Sequence, residues 1–224
     1  MRVRRRALAC LAVVGLVASL AACSADDPVK RQALPTATVV PTERAQVPDG
    51  WTVRQGAGFT VAIPPDWQTR PPDQRAAKDA ALEVGIPFTG QPSPPPRLIV
   101  FVEQQQVGPL SVREPLLRAQ IANGLPDATL GASRHVQVAG AVDALQFDVS
   151  YTTKAGTSVL GTALEATPMQ QRELIVETPG LPKYGLRYTA PSDQFSEDVW
   201  RGIQQSLTVG LAGRATGTTT GADA

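Results

Sequence analysis

The pattern of apolar and polar residues predicts an α+β domain, an antiparallel β-sheet of about six to seven strands with helices packed on its faces. Three observations carry this reading. Strand-length runs follow one another through short turns between residues 134 and 190. A helix with an apolar stripe at i, i+4 spacing comes after them, and a second helical pattern comes before them.

The first strand is Gly58-Phe59-Thr60-Val61-Ala62-Ile63, where Phe59, Val61 and Ile63 share one face and Pro64-Pro65 ends the run. Leu98 to Val102 is continuously apolar, as a central strand covered on both faces requires. Pro92-Ser93-Pro94-Pro95-Pro96 leads into it as an extended surface connector. Ser111-Val112-Arg113-Glu114 has the form of a capping box, and Pro115 falls in the first turn, where proline is tolerated. Leu116, Leu117 and Ile121 continue that helix, and Asn123-Gly124 closes it before Pro126.

Strands then run Arg134–Ala139, Val142–Thr153, Val159–Thr167, Glu173–Thr178 and Tyr184–Ala190, an antiparallel meander. Leu145, Phe147, Val149 and Tyr151 share a face, and Gln146, Asp148, Ser150 and Thr152 alternate with them. The closing helix spans Asp193–Leu207. Ser192 is placed to cap it, Glu197 and Asp198 sit near the positive end of its dipole, and Phe195, Val199, Ile203 and Leu207 form its stripe.

The ends of the chain differ from this body. Arg2, Arg4, Arg5 and Arg6 precede a charge-free apolar run from Ala7 to Ala22, and Leu20-Ala21-Ala22-Cys23 matches the bacterial lipobox. Residues 1–22 are therefore expected to be a lipoprotein signal peptide and Cys23 the lipidated mature N-terminus. A plain secretory peptide cut near Ala22 is the alternative. Cleavage removes four arginines and no acid, leaving 17 basic and 20 acidic residues, a net charge of −3. Cys10 leaves as well, so no intramolecular disulfide is possible. Two or three acyl chains on Cys23 would give stable membrane anchoring.

Residues 23–49 read as a Pro/Thr-rich tether, with Pro28, Pro35, Pro41 and Pro48; residues 50–209 form the globular domain, and 210–224 a disordered tail. The chain has 17 Arg against only Lys30, Lys78, Lys154 and Lys183, a bias of GC-rich codons that fits an actinobacterial source.

Gly58, Phe59, Val61, Ile63, Pro64 and Trp67 open the domain, and Tyr184, Leu186, Tyr188, Pro191, Phe195, Ser206 and Leu207 close it. With the meander between them, they resemble the PsbP-like αβα sandwich of photosystem extrinsic proteins, a yeast Ran-binding factor and actinobacterial LpqN-type lipoproteins. The resemblance spans roughly Trp51–Val209. It implies a non-enzymatic binding or assembly role and offers no catalytic residues to carry over.

Catalytic patterns fail one by one. Gly156-Thr157-Ser158-Val159-Leu160-Gly161 is one residue too long for a G-x-S-x-G elbow, and any triad would need His135, the only histidine. His135 shares strand parity with Gln137 and is expected in solvent. Glu165, Glu173 and Glu177 lie on strands and are explained as well by a polar strand face as by carboxylate catalysis. The acids show no EF-hand spacing, and Gly56-Ala57-Gly58 precedes a strand, the wrong order for a phosphate-cradling helix start. No metal or cofactor is expected, and the near-zero charge, 21 basic against 20 acidic residues, gives no support for nucleic-acid binding.

Among the aromatics, Trp67 and Tyr184 are the candidates for ligand contact, and Trp67, after Pro64-Pro65-Asp66, is expected to be partly exposed. The expected function is that of a cell-envelope lipoprotein on the outer face of the cell membrane, held by lipid on Cys23 and binding an envelope protein, lipid or glycan. An envelope hydrolase using Ser158 or a carboxylate, and a hydrophobic carrier, are the alternatives.

Overall fold

The computed structural model describes residues 45–105, 108–125, 127–157 and 163–210. The signal peptide, Cys23, the tether up to residue 44, Ser158 and the tail from residue 211 lie outside the described residues.

In chain order the elements are strands β1 (Thr52–Gly56), β2 (Phe59–Ile63) and β3 (Gln68–Thr69), a single 3-10 turn at Pro72–Gln74, and strands β4 (Ala80–Gly85) and β5 (Arg97–Glu103). Helix α1 (Leu110–Gly124) is followed by β6 (Thr129–Leu130), β7 (Arg134–His135), β8 (Asp143–Thr152), β9 (Gly156–Thr157), β10 (Ala163–Leu164), β11 (Pro168–Glu177) and β12 (Lys183–Pro191). Helix α2 (Glu197–Ser206) and β13 (Thr208–Val209) close the domain.

The main sheet has eight antiparallel strands in the order β3-β4-β5-β12-β11-β8-β6, with β7 also on β8. Its body is five long strands; β3, β6 and β7 contribute two residues each at the edges, too short for sequence periodicity to reveal. A second sheet, β1-β2-β13, lies beside α2. The fold is α+β, as the meander predicts.

The register assigns every strand residue to a face. Leu145 pairs with Ile175 and Phe147 with Glu173, so the odd positions of β8 look toward α1. Ala144, Leu174, Val176, Leu186 and Tyr188 look the other way, toward α2 and the small sheet. That second face is a closed apolar core in which Phe59, Ile63, Val84, Leu98, Trp200 and Ile203 are buried. Burying a side chain such as Ile203 contributes about 1.5–3 kcal/mol.

Gln146 shows why alternation alone misleads. Its polar side chain is not solvated but fully buried under α2, where Oε1 accepts a hydrogen bond from Trp200 Nε1 at 3.0 Å. The alternation marks two different covered faces here, not an inside and an outside.

Local starts and stops depart from the sequence reading. Pro109 occupies the N-cap of α1 and makes no side-chain cap, so Ser111 lies inside the first turn. The Glu114 carboxylate reaches Ser133 Oγ instead of closing a capping box. For α2 the cap is Ser196, which accepts from Val199 N at 3.2 Å, and the helix starts at Glu197 instead of Asp193. The strand expected over Arg134–Ala139 is reduced to Arg134–His135, because Gly140 turns the chain there with φ +81°. A Cβ at Gly140 would lie 2.1 Å from Val209 O, so only glycine admits β13.

Two strands had no clear sequence signal. β1 is mostly exposed, and β4 carries Glu83 in its middle. The proline connector before β5 is tied down: Pro96 O accepts from Ile86 N at 3.1 Å and Pro92 O from Glu165 N at 3.0 Å, and Pro95 and Pro96 are buried. Residues 46–49, read as the end of the tether, lie against α2. Gln46 N donates to Gln205 O at 2.9 Å, and Trp51 and Pro48 fill the space beside Gly202.

Candidate functional site

The residues singled out in the sequence do not assemble into a site. Trp67 is buried at 5% exposure, against the expected partial exposure, with its ring 6.0 Å from Tyr188 in the α2-side core. Tyr184 is fully buried, edge-on to Phe59, and its hydroxyl donates to Gly58 O at 2.9 Å. Both rings belong to the core that α2 closes, with no face toward solvent.

His135 is exposed, as expected, and its Nδ1 lies 2.8 Å from Asp143 Oδ1, which also accepts from Ala144 N. The three glutamates part ways. Glu165 is exposed, Glu177 pairs with Lys183, and Glu173 is buried and pairs with Arg187. Burial pushes the Glu173 carboxyl above its usual range, with Arg187 and a hydrogen bond from Gln171 pulling the other way. Among the described residues no three His, Cys, Asp or Glu side chains converge as metal ligands.

An open feature lies on the opposite face of the main sheet. A groove of about 530 Å³ runs between α1 and the loop before β4. Its floor is Phe101, Gly185, Arg187, Glu173 and Ile175, contributed by β5, β12 and β11. Leu116, Leu117 and Gln120 of α1 form one wall, and Ala77 and Asp79 the other. Gly185 keeps the middle of the floor flat: a Cβ there would sit 3.9 Å from Phe101.

Arg113 fixes the helix that makes the wall. It is buried at 6% exposure, donates to Val176 O at 3.2 Å and Tyr184 O at 3.3 Å, and reaches Glu103 at 2.7 Å. One side chain thus ties α1 to β5, β11 and β12. The apolar contact of α1 is made by Leu110, Leu117 and Ile121, which meet Leu145, Phe147, Val149 and Ile175. On its other side Val112 and Leu116, one turn apart, stay 45% and 57% exposed.

At the far end of the groove Arg187 bonds Glu173 through Nε and stacks over Phe101 at 5.6 Å. The sequence signal for this end was present but weak. Arg187 interrupts an apolar run between Leu186 and Tyr188, and Arg97 opens the β5 run, as a charge does when its side of a covered sheet is left open. For Leu116 there was no signal, since helical periodicity assigns it to the core as readily as Ile121.

Among the described residues no helix is long and apolar enough to cross a membrane. No protein family's profile matches the chain, and no curated protein sequence does. A fold likeness to a solved structure is found. LpqN of Mycobacterium tuberculosis, a protein involved in cell envelope biogenesis, aligns with a TM-score of 0.51 at 16% identity, over 71% of this chain and 90% of LpqN. The Ran-binding protein Mog1p of Saccharomyces cerevisiae aligns with a TM-score of 0.46 at 10% identity, over 73% of this chain and 96% of Mog1p. At 16% identity the likeness to LpqN is one of fold.

Proposed function

We propose that the chain is a membrane-anchored cell-envelope lipoprotein whose domain has a non-enzymatic binding role, with the groove beside α1 as its contact surface. The observation that carries this reading is the groove itself: a pre-formed cleft whose floor mixes Phe101 and Ile175 with Arg187 and Glu173, and whose wall residue Leu116 is exposed. The lipobox at Cys23 supports the anchoring, and the shared fold with an envelope protein supports the setting. The carboxylates considered for catalysis support it too, since Glu173 and Glu177 are each engaged by a cation and Glu165 stands alone on the surface.

Anchoring is tested by mass spectrometry of the mature N-terminus, which should begin with an acylated cysteine, and by Cys23→Ala, which should move the protein to the soluble fraction. Binding is tested by cross-linking the anchored protein in its own membrane and analysing lipid extracts of the purified chain. A specific adduct or a co-purifying molecule that is lost in Leu116→Asp supports the groove. Turnover of an ester or glycan substrate, abolished by Ser158→Ala, His135→Ala or Glu165→Gln, would replace the binding reading with a hydrolase.

A further inference from the structure

The groove ends at Arg187, and the same sheet face continues beyond it. Arg97 pairs with Thr189 on β12, one step along from Arg187, so the two arginines are diagonal neighbours with roots roughly 7–8 Å apart. Gly85 stands opposite Arg97 on β4; a Cβ there would press to 2.9 Å on the Arg97 Cα and Cβ, so only glycine leaves that arginine its place. Below lies Glu83, 0% exposed. Its Oε2 accepts from Ala76 N at 2.8 Å, while Oε1 has no hydrogen-bond partner among the described residues, with Arg70 at 3.5 Å and Arg97 at 3.9 Å.

These guanidinium groups are partly exposed and keep donors that no acceptor among the described residues uses. Arg97 is 30% exposed, and its one ion pair is the 3.9 Å approach to Glu83, too long for a hydrogen bond. Arg187 is 28% exposed and bonds Glu173 through Nε, which leaves its two terminal nitrogens unengaged among the described residues. Burial holds the Arg97 pKa below the usual guanidinium value, Glu83 and Tyr151 opposing and Arg70 and Arg187 adding to the fall. Three arginines, Arg70, Arg97 and Arg187, stand over two carboxylates, Glu83 and Glu173, an excess of one positive charge. The planar fork of arginine matches the two oxygens of a carboxylate or phosphate.

We propose that Arg97 and Arg187 form an oxyanion site at the end of the groove, for a phosphate or carboxylate group of a molecule whose apolar part lies along Phe101, Ile175 and Leu116. The apolar part rests on the binding reading above; the anion site rests on the arginines alone.

The test follows the arginine side-chain N–H resonances of the full chain carrying Cys23→Ser, titrated with inorganic phosphate and with acetate at constant ionic strength. Saturable shifts at the arginine N–H groups are expected, weakened about tenfold by Arg97→Gln and by Arg187→Gln. Flotation with phosphatidylglycerol vesicles against phosphatidylcholine vesicles separates a lipid headgroup from a free anion, and preference for either phosphate source upholds the site. Absence of shifts with phosphate and acetate together with no preference for phosphatidylglycerol, or unchanged affinity in both variants, overturns it. Leu116→Asp should leave phosphate binding intact while removing the cross-linked partner. Absence of phosphate, acetate and phosphatidylglycerol binding, with the cross-linked partner retained, therefore sinks the anion site and not the groove.

Discussion

The two faces of the main sheet are built from the same strands and end up as opposite kinds of surface. On the α2 side, Trp200, Tyr188, Ile203 and Leu98 close an apolar core, which also takes in Gln146, whose Oε1 accepts from Trp200, and Arg172, paired with Asp148 and Glu197. On the α1 side the helix covers half the sheet, is held by the buried Arg113, and leaves a groove. The difference is one of closure. One face supplies most of the apolar burial that folds the domain and admits charge only in the paired Arg172 cluster, whereas the other leaves Arg187 and Glu173 on the floor of an open groove.

The comparison breaks first at the core. Ile203→Asp places a charge in the closed face and should lower the unfolding free energy by about 4 kcal/mol or more in denaturant titrations, whereas Leu116→Asp on the groove rim should change it by about 0.5 kcal/mol or less. Equal losses would mean that α1 also closes a core. Arg113→Met comes next. It strands two backbone carbonyls and Glu103, and should cost about 2–4 kcal/mol, with faster hydrogen exchange in α1 than in α2.

The smallest effect is on pH dependence, and its sign differs between faces. Burial raises the Glu173 pKa, so the folded state binds the proton more tightly than the unfolded chain. Its stabilising contribution is complete below the ordinary value of 4.5 and is lost as pH rises through the raised value. Glu197 is the reverse case: hydrogen bonds from Arg172 lower its pKa, and its contribution is present above 4.5 and lost as pH falls through the lowered value. The stability gap between wild type and Glu173→Gln should therefore shrink as pH rises from about 4 to 7, and the gap to Glu197→Gln should grow as pH rises from about 2 to 5. Slopes of the same sign in the two variants would show that the faces do not differ electrostatically.

Much of the closed face was legible in the sequence, because burial against a partner imposes periodicity. Phe59, Val61 and Ile63, the Leu98–Val102 run and Ile203 with Leu207 all announce their places. The groove was not. Its floor mixes Phe101, Gly185, Arg187 and Glu173 from three strands that only register brings together, and its wall residue Leu116 carries the same signature as a core leucine. Trp67 and Tyr184 drew attention because aromatics often line sites, yet the core needed them more. Exposure is decided by what covers a residue, and in this chain α1 covers less of its face than its length suggests.

The most direct test of this division places a photoreactive amino acid at Leu116 in one variant and at Arg201, on the exposed side of α2, in another. Both are irradiated in the native membrane. The account predicts a specific adduct from Leu116 and none from Arg201; an adduct from Arg201 alone, or none from either, would contradict it.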